Sequence, residues 1–252
     1  MSDLVWIATA ALGAGFVNAL AGGGTLITFP ALIAIGVDPI SSNVTNTVAL
    51  CPGYFGATLG QSNDLATQRT RMYTLMPAGI IGGLAGALLL LNTTERAFRI
   101  AVPFLILLAS LLLAFQDRIR ARLNNRDSKT SQKSSEHWTF LLVTAAAIYG
   151  GYFGAGLSVI LLAVLGLTLN DSLIRLNALK QFLALTTNVA AAVCFLFSHH
   201  VAWSYAIVIA IGAFIGGLIG GRVSGTIQPS VLRWIVVLIG FAVAAVYFAK
   251  LF

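Results

Sequence analysis

Eight long apolar segments constrain this chain more than any other feature of its sequence. They cover residues 4–36, 43–62, 72–91, 97–115, 138–168, 172–198, 203–222 and 231–250. A helix of roughly 20 residues crosses a bilayer core of about 30 Å, and most of the segments have this length. Because 58% of the residues are hydrophobic and only 9% are charged, against about 25% in soluble domains, lipid must be the main solvent. The sequence therefore predicts an all-α, polytopic transmembrane bundle of about eight spans.

Glycine interrupts the two longest of these segments. Residues 4–36 contain the run Gly22 to Gly24, and residues 138–168 contain Gly154 and Gly156. Each segment is much longer than the roughly 20 residues that a single straight span needs. We therefore expect both segments to form broken helices or re-entrant hairpins.

A basic stretch at residues 116–137 divides the chain into a first repeat, 1–115, and a second repeat, 138–252. It carries six of the residues behind the formal net charge of +7, namely Arg118, Arg120, Arg122, Arg126, Lys129 and Lys133. Basic loops beside apolar spans are typical of the cytoplasmic side, so we expect a multi-pass protein of the cell inner membrane with this loop in the cytoplasm. The stretch has no aromatic residues that could stack on bases, and we expect no nucleic-acid partner.

The two halves follow one plan, with an offset close to 132 residues. Each has a glycine break, a short apolar helix, a polar turn and then a helix that opens with polar side chains. Paired, Gly-interrupted segments in matching positions indicate a transporter site. If residues 138–168 cross the membrane once, the repeats are parallel, and Arg222 and Arg233 flank an external loop. If that segment turns back, the repeats are inverted and the same loop is cytoplasmic.

A helix that begins inside the membrane offers free backbone N–H groups and the positive end of its dipole, so an anion can bind there. The candidate substrate-binding residues are Asn18, Gly22, Gly23, Gly24, Thr25, Thr45 and Asn46 in the first half, and Gly154, Gly156, Ser158, Asn177, Lys180 and Gln181 in the second. Thr45 and Asn46 lie on one helix turn, and we expect both to face the glycine break. Ser158 or Thr25 could instead bond only to its own helix backbone.

Lys180 is the most informative of these candidates. It lies about nine residues, or roughly 13 Å, into its apolar segment. An ionisable group at this depth indicates function, and we assign it as the counter-charge of the anion. The alternative is that its long stem snorkels to the nearer membrane surface.

The segment Ala21-Gly-Gly-Gly-Thr-Leu-Ile-Thr-Phe-Pro30, followed by Val44-Thr-Asn-Thr-Val48 and a second Gly-rich copy, resembles the sulfite exporter TauE/SafE family. The resemblance covers nearly the whole chain. It implies an ion-coupled secondary transporter that moves small anions, namely sulfite, sulfonates or related organosulfur compounds, across the cytoplasmic membrane. The second glycine motif is shorter than the usual run, and residues 177–181 replace the usual small hydroxyl pair, so the anion stays open.

A passive anion channel and an intramembrane enzyme are the alternative functions. No histidine lies within a span to activate a serine, and no His pair with a carboxylate forms a metal set, so we predict no catalytic or metal-binding residues. We expect no cofactor other than a coupling ion, which would be a proton carried by a buried lysine or sodium held by unwound backbone. Alternatively, the anion leaves down the membrane potential without a coupling ion. The expected partners are a small organic or inorganic anion and the lipid bilayer, and a homodimer is left open.

Overall fold

The computed structural model describes residues 2–118, 121, 136–224, 226 and 230–251, and the regular secondary structure of these residues is entirely helical. The first half contains α1 (Ser2–Leu20), α2 (Thr25–Ala34), α3 (Pro39–Gly60), α4 (Ser62–Ala66), α5 (Arg69–Leu91) and α6 (Glu95–Ala114). The second half contains α7 (Glu136–Tyr152), α8 (Leu157–Thr168), α9 (Leu173–Leu196), α10 (Trp203–Val223) and α11 (Ser230–Leu251). The predicted all-α class is confirmed. Most of the basic stretch 116–137 lies outside the described residues.

Five of the described helices, α5, α6, α9, α10 and α11, are long and apolar enough to cross a membrane. The helix α3 has a similar length of 22 residues, but its first turns carry Ser, Asn and Thr side chains. The two longest apolar segments each form a pair of shorter helices, α1 with α2 and α7 with α8. The breaks at residues 21–24 and 153–156 lie where the glycine runs predict them.

The helix α10 shows how these helices divide their surface between lipid and protein. Ile211 is 60% exposed and Ile215 is 44% exposed on one face, while Gly212, Gly216 and Gly220 on another face contact α1. In lipid there is little hydrophobic drive between helices, and small residues let backbones approach closely. Glycine on the inner face and isoleucine on the outer face are therefore the expected distribution for a membrane helix.

Contacts across these glycines give the relative directions of the helices. Gly212 and Gly220 of α10 face Ala8 and Phe16 of α1 in the same order along both helices, so α1 and α10 run parallel. The contacts of α3 with α10 follow the same order. In the other half of the molecule, α7 and α9 both run parallel to α5. The helix α5 thus packs against the second repeat, and α10 packs against the first.

These directions decide between the two repeat arrangements that the sequence leaves open. Since α1 and α3 both run parallel to α10, the short helix α2 between them must turn back, and α8 must do the same between α7 and α9. The helices α3 and α9 are antiparallel, because Gln61 after the end of α3 bonds to Asn177 near the start of α9, while Tyr54 lies near Asn188. The repeats are therefore inverted, and both glycine breaks lead into re-entrant helices.

Candidate functional site

The two glycine breaks meet inside the bundle. A Cβ placed on Gly22 would lie 2.6 Å from the Cβ of Ser158, and one placed on Gly154 would lie 3.9 Å from Oγ1 of Thr25. Gly22 and Gly154 hold φ angles of 80° and 78°, which glycine adopts without steric cost. The first turn of α2 therefore lies against the break before α8, and the first turn of α8 lies against the break before α2.

Both of these half-helices begin without a side-chain cap. The residues before α2 and α8, Gly24 and Gly156, make no side-chain cap hydrogen bond. In contrast, Asp38 caps α3 and Ser172 caps α9 through their side-chain oxygens. Oδ1 of Asn18 accepts a hydrogen bond from the Gly24 N–H at 3.4 Å, and several first-turn N–H groups bond to carbonyls of the breaks. Both helix starts nevertheless carry the positive end of a helix dipole. The structure thus brings two positive helix ends together, which is the geometry that favours an anion.

Polar side chains surround this meeting point. The hydroxyl of Tyr54 lies among the side chains of Asn18, Ser158 and Asn188, and all four residues are at most 4% exposed. Oγ of Ser158 is close to the Tyr54 hydroxyl, but within the described residues it makes no hydrogen bond of regular geometry. The site therefore offers hydroxyl groups that can donate a hydrogen bond, in addition to the backbone N–H groups.

Tyr54 and Asn188 are missing from the residues that the sequence predicts for the site. They occupy equivalent places in the repeats, since an offset of 134 residues relates them, as it relates the capping residues Asp38 and Ser172. An alignment of the repeats that begins at the polar turn, instead of at the glycine break, matches Tyr54 with Asn188 and could have identified both.

Amide side chains hold the ends of the broken helices from the opposite repeat. Nε2 of Gln181 on α9 donates to the carbonyl of Asn18 at 3.2 Å and to that of Ala19 at 2.8 Å. Nδ2 of Asn43 on α3 donates to the carbonyl of Tyr152 at 2.8 Å. A broken helix leaves carbonyl groups without partners, and buried carbonyls need them. Each repeat thus supplies bonds that the break in the other repeat requires.

Lys180 is fully buried and precedes Gln181 on α9. Its exposed fraction is 0%, so it does not snorkel in this conformation. Nζ donates to Oδ1 of Asn177 at 2.8 Å, and Nδ2 of Asn177 donates to Oε1 of Gln61 at 2.7 Å. Lys180 and Asn177 therefore belong to a polar network between α9 and the end of α3, adjacent to Gln181.

Thr45 has other neighbours than the sequence suggests, whereas Asn46 packs against the re-entrant helix α2. Oγ1 of Thr45 accepts a hydrogen bond from the Ala202 N–H at 2.9 Å, so this side chain lies against the connection between α9 and α10. Oδ1 of Asn46 accepts a hydrogen bond from Thr28 of α2. The expectation that both face the glycine break fails for Thr45, because the tight packing of α3 on α10 determines which face of α3 points inward.

The structure brings the remaining predicted residues together. Around the paired breaks lie Asn18, Gly22, Gly23, Gly24, Thr25, Gly154, Gly156, Ser158 and Gln181, with Asn177 and Lys180 in the adjoining network. Among the described residues, no group of three or more His, Cys, Asp or Glu side chains is placed to hold a metal ion.

Comparison with known proteins links this arrangement to a family. The family model described as sulfite exporter TauE/SafE matches residues 7–247. A probable membrane transporter protein of Haemophilus influenzae is 28% identical over 92% of this chain and 89% of its own length. The probable membrane transporter protein YfcA of Escherichia coli K12 is 26% identical over 81% of this chain and 74% of its own. The probable membrane transporter protein ORF9 of a Sinorhizobium species is 25% identical over 96% and 90%.

Proposed function

The chain belongs to the sulfite exporter TauE/SafE family, and from that premise we propose that it is a secondary transporter of small anions. We propose sulfite, sulfonates or related organosulfur compounds as the transported class, and the cell inner membrane as its location. The anion crosses the membrane without chemical conversion.

The single observation that carries this proposal is the meeting of the N-termini of α2 and α8. Each helix N-terminus acts like roughly half a positive charge, so two together attract about as strongly as one fixed cation. Hydroxyls of Ser158 and Tyr54 lie beside them and can donate hydrogen bonds to anion oxygens. A monovalent oxyanion matches this charge without a carboxylate or metal ion at the site.

We propose Lys180 as the additional counter-charge. Its ammonium group is fully buried, and the attraction between opposite charges is stronger in a site shielded from water than in solution. Lys180 follows Asn177 by one helical turn and precedes Gln181, whose side chain bonds to the end of α1. A shift of α9 would therefore move the Lys180 ammonium group and the hydrogen bonds from Gln181 to the end of α1 at the same time.

Inverted repeats give such a site two opposite routes of access. The re-entrant helix α2 approaches the site from one end of the bundle and α8 approaches it from the other, because the repeats point in opposite directions. We propose that the site opens alternately beside α2 and beside α8. The coupling ion is either a proton or sodium.

Basic side chains at one end of the bundle support an orientation. Arg71 is joined to Asp171 and Arg233 to Asp117, and Arg222 packs against Gly60. These contacts lie at the end where the basic stretch 116–137 connects the repeats. Since positive charge favours the cytoplasmic side, we propose that this end faces the cytoplasm.

Counterflow in proteoliposomes tests the proposal. The purified chain is reconstituted, loaded with an unlabelled anion and assayed for uptake of labelled sulfite, sulfonates, carboxylates and sulfate. A carrier is stimulated by the anion on the far side, whereas a passive channel shows no such stimulation. Imposed pH and sodium gradients then identify the coupling ion.

The variant Lys180→Ala should lower counterflow by about 10- to 100-fold, since a charged hydrogen bond contributes about 1.5–3 kcal/mol. Lys180→Arg keeps the charge and should retain part of the activity. Thr144→Ala is the control, because this hydroxyl bonds only to the Phe140 carbonyl of its own helix at 2.9 Å. Full counterflow by a well-folded Lys180→Ala protein would remove Lys180 from the site.

A further inference from the structure

An open cleft lies on the outer surface of the bundle, between α2 and the pair α6 and α11. It has a volume of about 840 Å³, within the range of sites for small organic ligands. Its walls are mostly aliphatic, with Ile33 from α2 and Val243 and Val246 from α11. Arg99 of α6 and Tyr247 of α11 also line it. The cleft is therefore apolar along its length and carries one cationic side chain.

Arg99 lies near the membrane surface, since it is in the second turn of α6 and the cleft also includes the start of α3 and the end of α2. Its side chain is exposed, and it makes no ion pair with any residue that the structure describes. This depth corresponds to the headgroup region of a bilayer.

The inverted repeat shows what is unusual about Arg99. The offset of 134 residues relates Arg99 on α6 to Arg233 on α11. Arg233 is 1% exposed and is paired with Asp117. Applied to that pair, the same offset places the partner of Arg99 at position 251, which is leucine. One arginine is therefore neutralised within the protein, whereas its repeat counterpart has a leucine at the position of that carboxylate and faces the cleft.

Tyr247 supplies a second polar group at the same place. Its hydroxyl oxygen is buried and has no hydrogen-bond partner among the described residues, and Arg99 is its charged neighbour. A buried hydroxyl without a partner costs free energy. A phosphate oxygen bound by Arg99 could accept the hydrogen bond from Tyr247.

We propose that this cleft binds a membrane lipid with an anionic phosphate headgroup. The phosphate binds to Arg99 and Tyr247, and an acyl chain lies along Ile33, Val243 and Val246. The cleft borders α2, which begins at the paired glycine breaks, so the lipid packs against one wall of the re-entrant hairpin. The site is separate from the anion site between the breaks, and its test does not depend on transport.

Native mass spectrometry of the full-length chain tests this proposal. The protein is taken from vesicles of phosphatidylcholine that contain a minor fraction of phosphatidylglycerol, and the retained phosphatidylglycerol is titrated. Arg99→Gln removes the cation, and Val246→Trp fills the apolar wall. Arg96→Gln is the matched control, because Arg96 is an exposed arginine of the same helix that does not line the cleft.

Wild type and Arg96→Gln should retain phosphatidylglycerol equally. Arg99→Gln and Val246→Trp should each bind it about tenfold more weakly, as expected for the loss of one charge-assisted contact or of the chain site. Equal retention by all four proteins, or equal losses in Arg96→Gln and Arg99→Gln, would overturn the proposal. Displacement of the lipid by soluble glycerol phosphate would also overturn it, since the cleft would then be a site for soluble anions.

Discussion

Replacing Gly22 by alanine should destabilise the protein at the point where the two breaks meet. The φ angle of 80° costs alanine about 1–2 kcal/mol. The new methyl group would lie 2.6 Å from the Cβ of Ser158, and such overpacking typically costs about 1–3 kcal/mol. The sum of about 2–5 kcal/mol corresponds to a drop of roughly 5–15 °C in unfolding temperature.

Three further variants separate the two contributions. Gly36→Ala has a φ of 91° and no atom within 4 Å of the added Cβ, so it measures the backbone cost alone. Gly13→Ala has neither penalty, and we expect it to be neutral or slightly stabilising. Ser158→Gly in the Gly22→Ala background removes the overlapping carbon and should restore the part of the loss that came from packing.

The assay is thermal unfolding in detergent, together with counterflow in proteoliposomes. The single variants and the double variant form a cycle, in which residues in contact couple by about 0.5–3 kcal/mol. The reasoning is refuted if Gly22→Ala unfolds at the wild-type temperature. It is also refuted if the effects of Gly22→Ala and Ser158→Gly are additive, since the two breaks would then not be in contact.

Two other predictions concern polar contacts that involve the second repeat, one a hydrogen bond and one a pair of salt bridges. Asn43→Leu removes the bond to the Tyr152 carbonyl and should cost about 1–3 kcal/mol, seen as a lower unfolding temperature; unchanged stability would show that the carbonyl needs no partner. Asp171→Asn should weaken the ion pairs with two arginines, whose N···O distances are 2.5 Å and 3.2 Å, by about 1 kcal/mol because the arginines are partly exposed. Added salt should therefore lower the stability of the wild type more than that of Asp171→Asn. An equal salt response of the two proteins would contradict the pairing. Asp64→Asn is the control.

The sequence predicts the helices and both breaks well, because the signals are local. The length of an apolar segment predicts a span, and the glycine runs at Gly22 and Gly154 destabilise a continuous helix. The direction in which α2 and α8 turn is not determined by nearby sequence. It depends on the contacts of α10 with α1 and of α5 with α7, which join residues of opposite repeats, so the sequence leaves parallel and inverted repeats open.

The composition of the site divides in the same way. Asn18 and Ser158 adjoin the breaks in sequence, and their proximity to the breaks could be predicted. Thr45 and Tyr54 both lie on α3, but only Tyr54 reaches the meeting point. Which of them points inward is set by the glycine contacts of α3 with α10, and the polarity of a single residue does not carry that information.

A crystal structure with a bound anion would show whether the paired helix starts form the binding site. Selenite, a heavier analogue of sulfite, is added to crystals of the protein, and its selenium is located from anomalous scattering. We expect one selenium peak between the first turns of α2 and α8, with the selenite oxygens about 3 Å from backbone N–H groups or from the Ser158 hydroxyl. A peak elsewhere in the bundle, with the space between Gly22 and Gly154 empty, would contradict it.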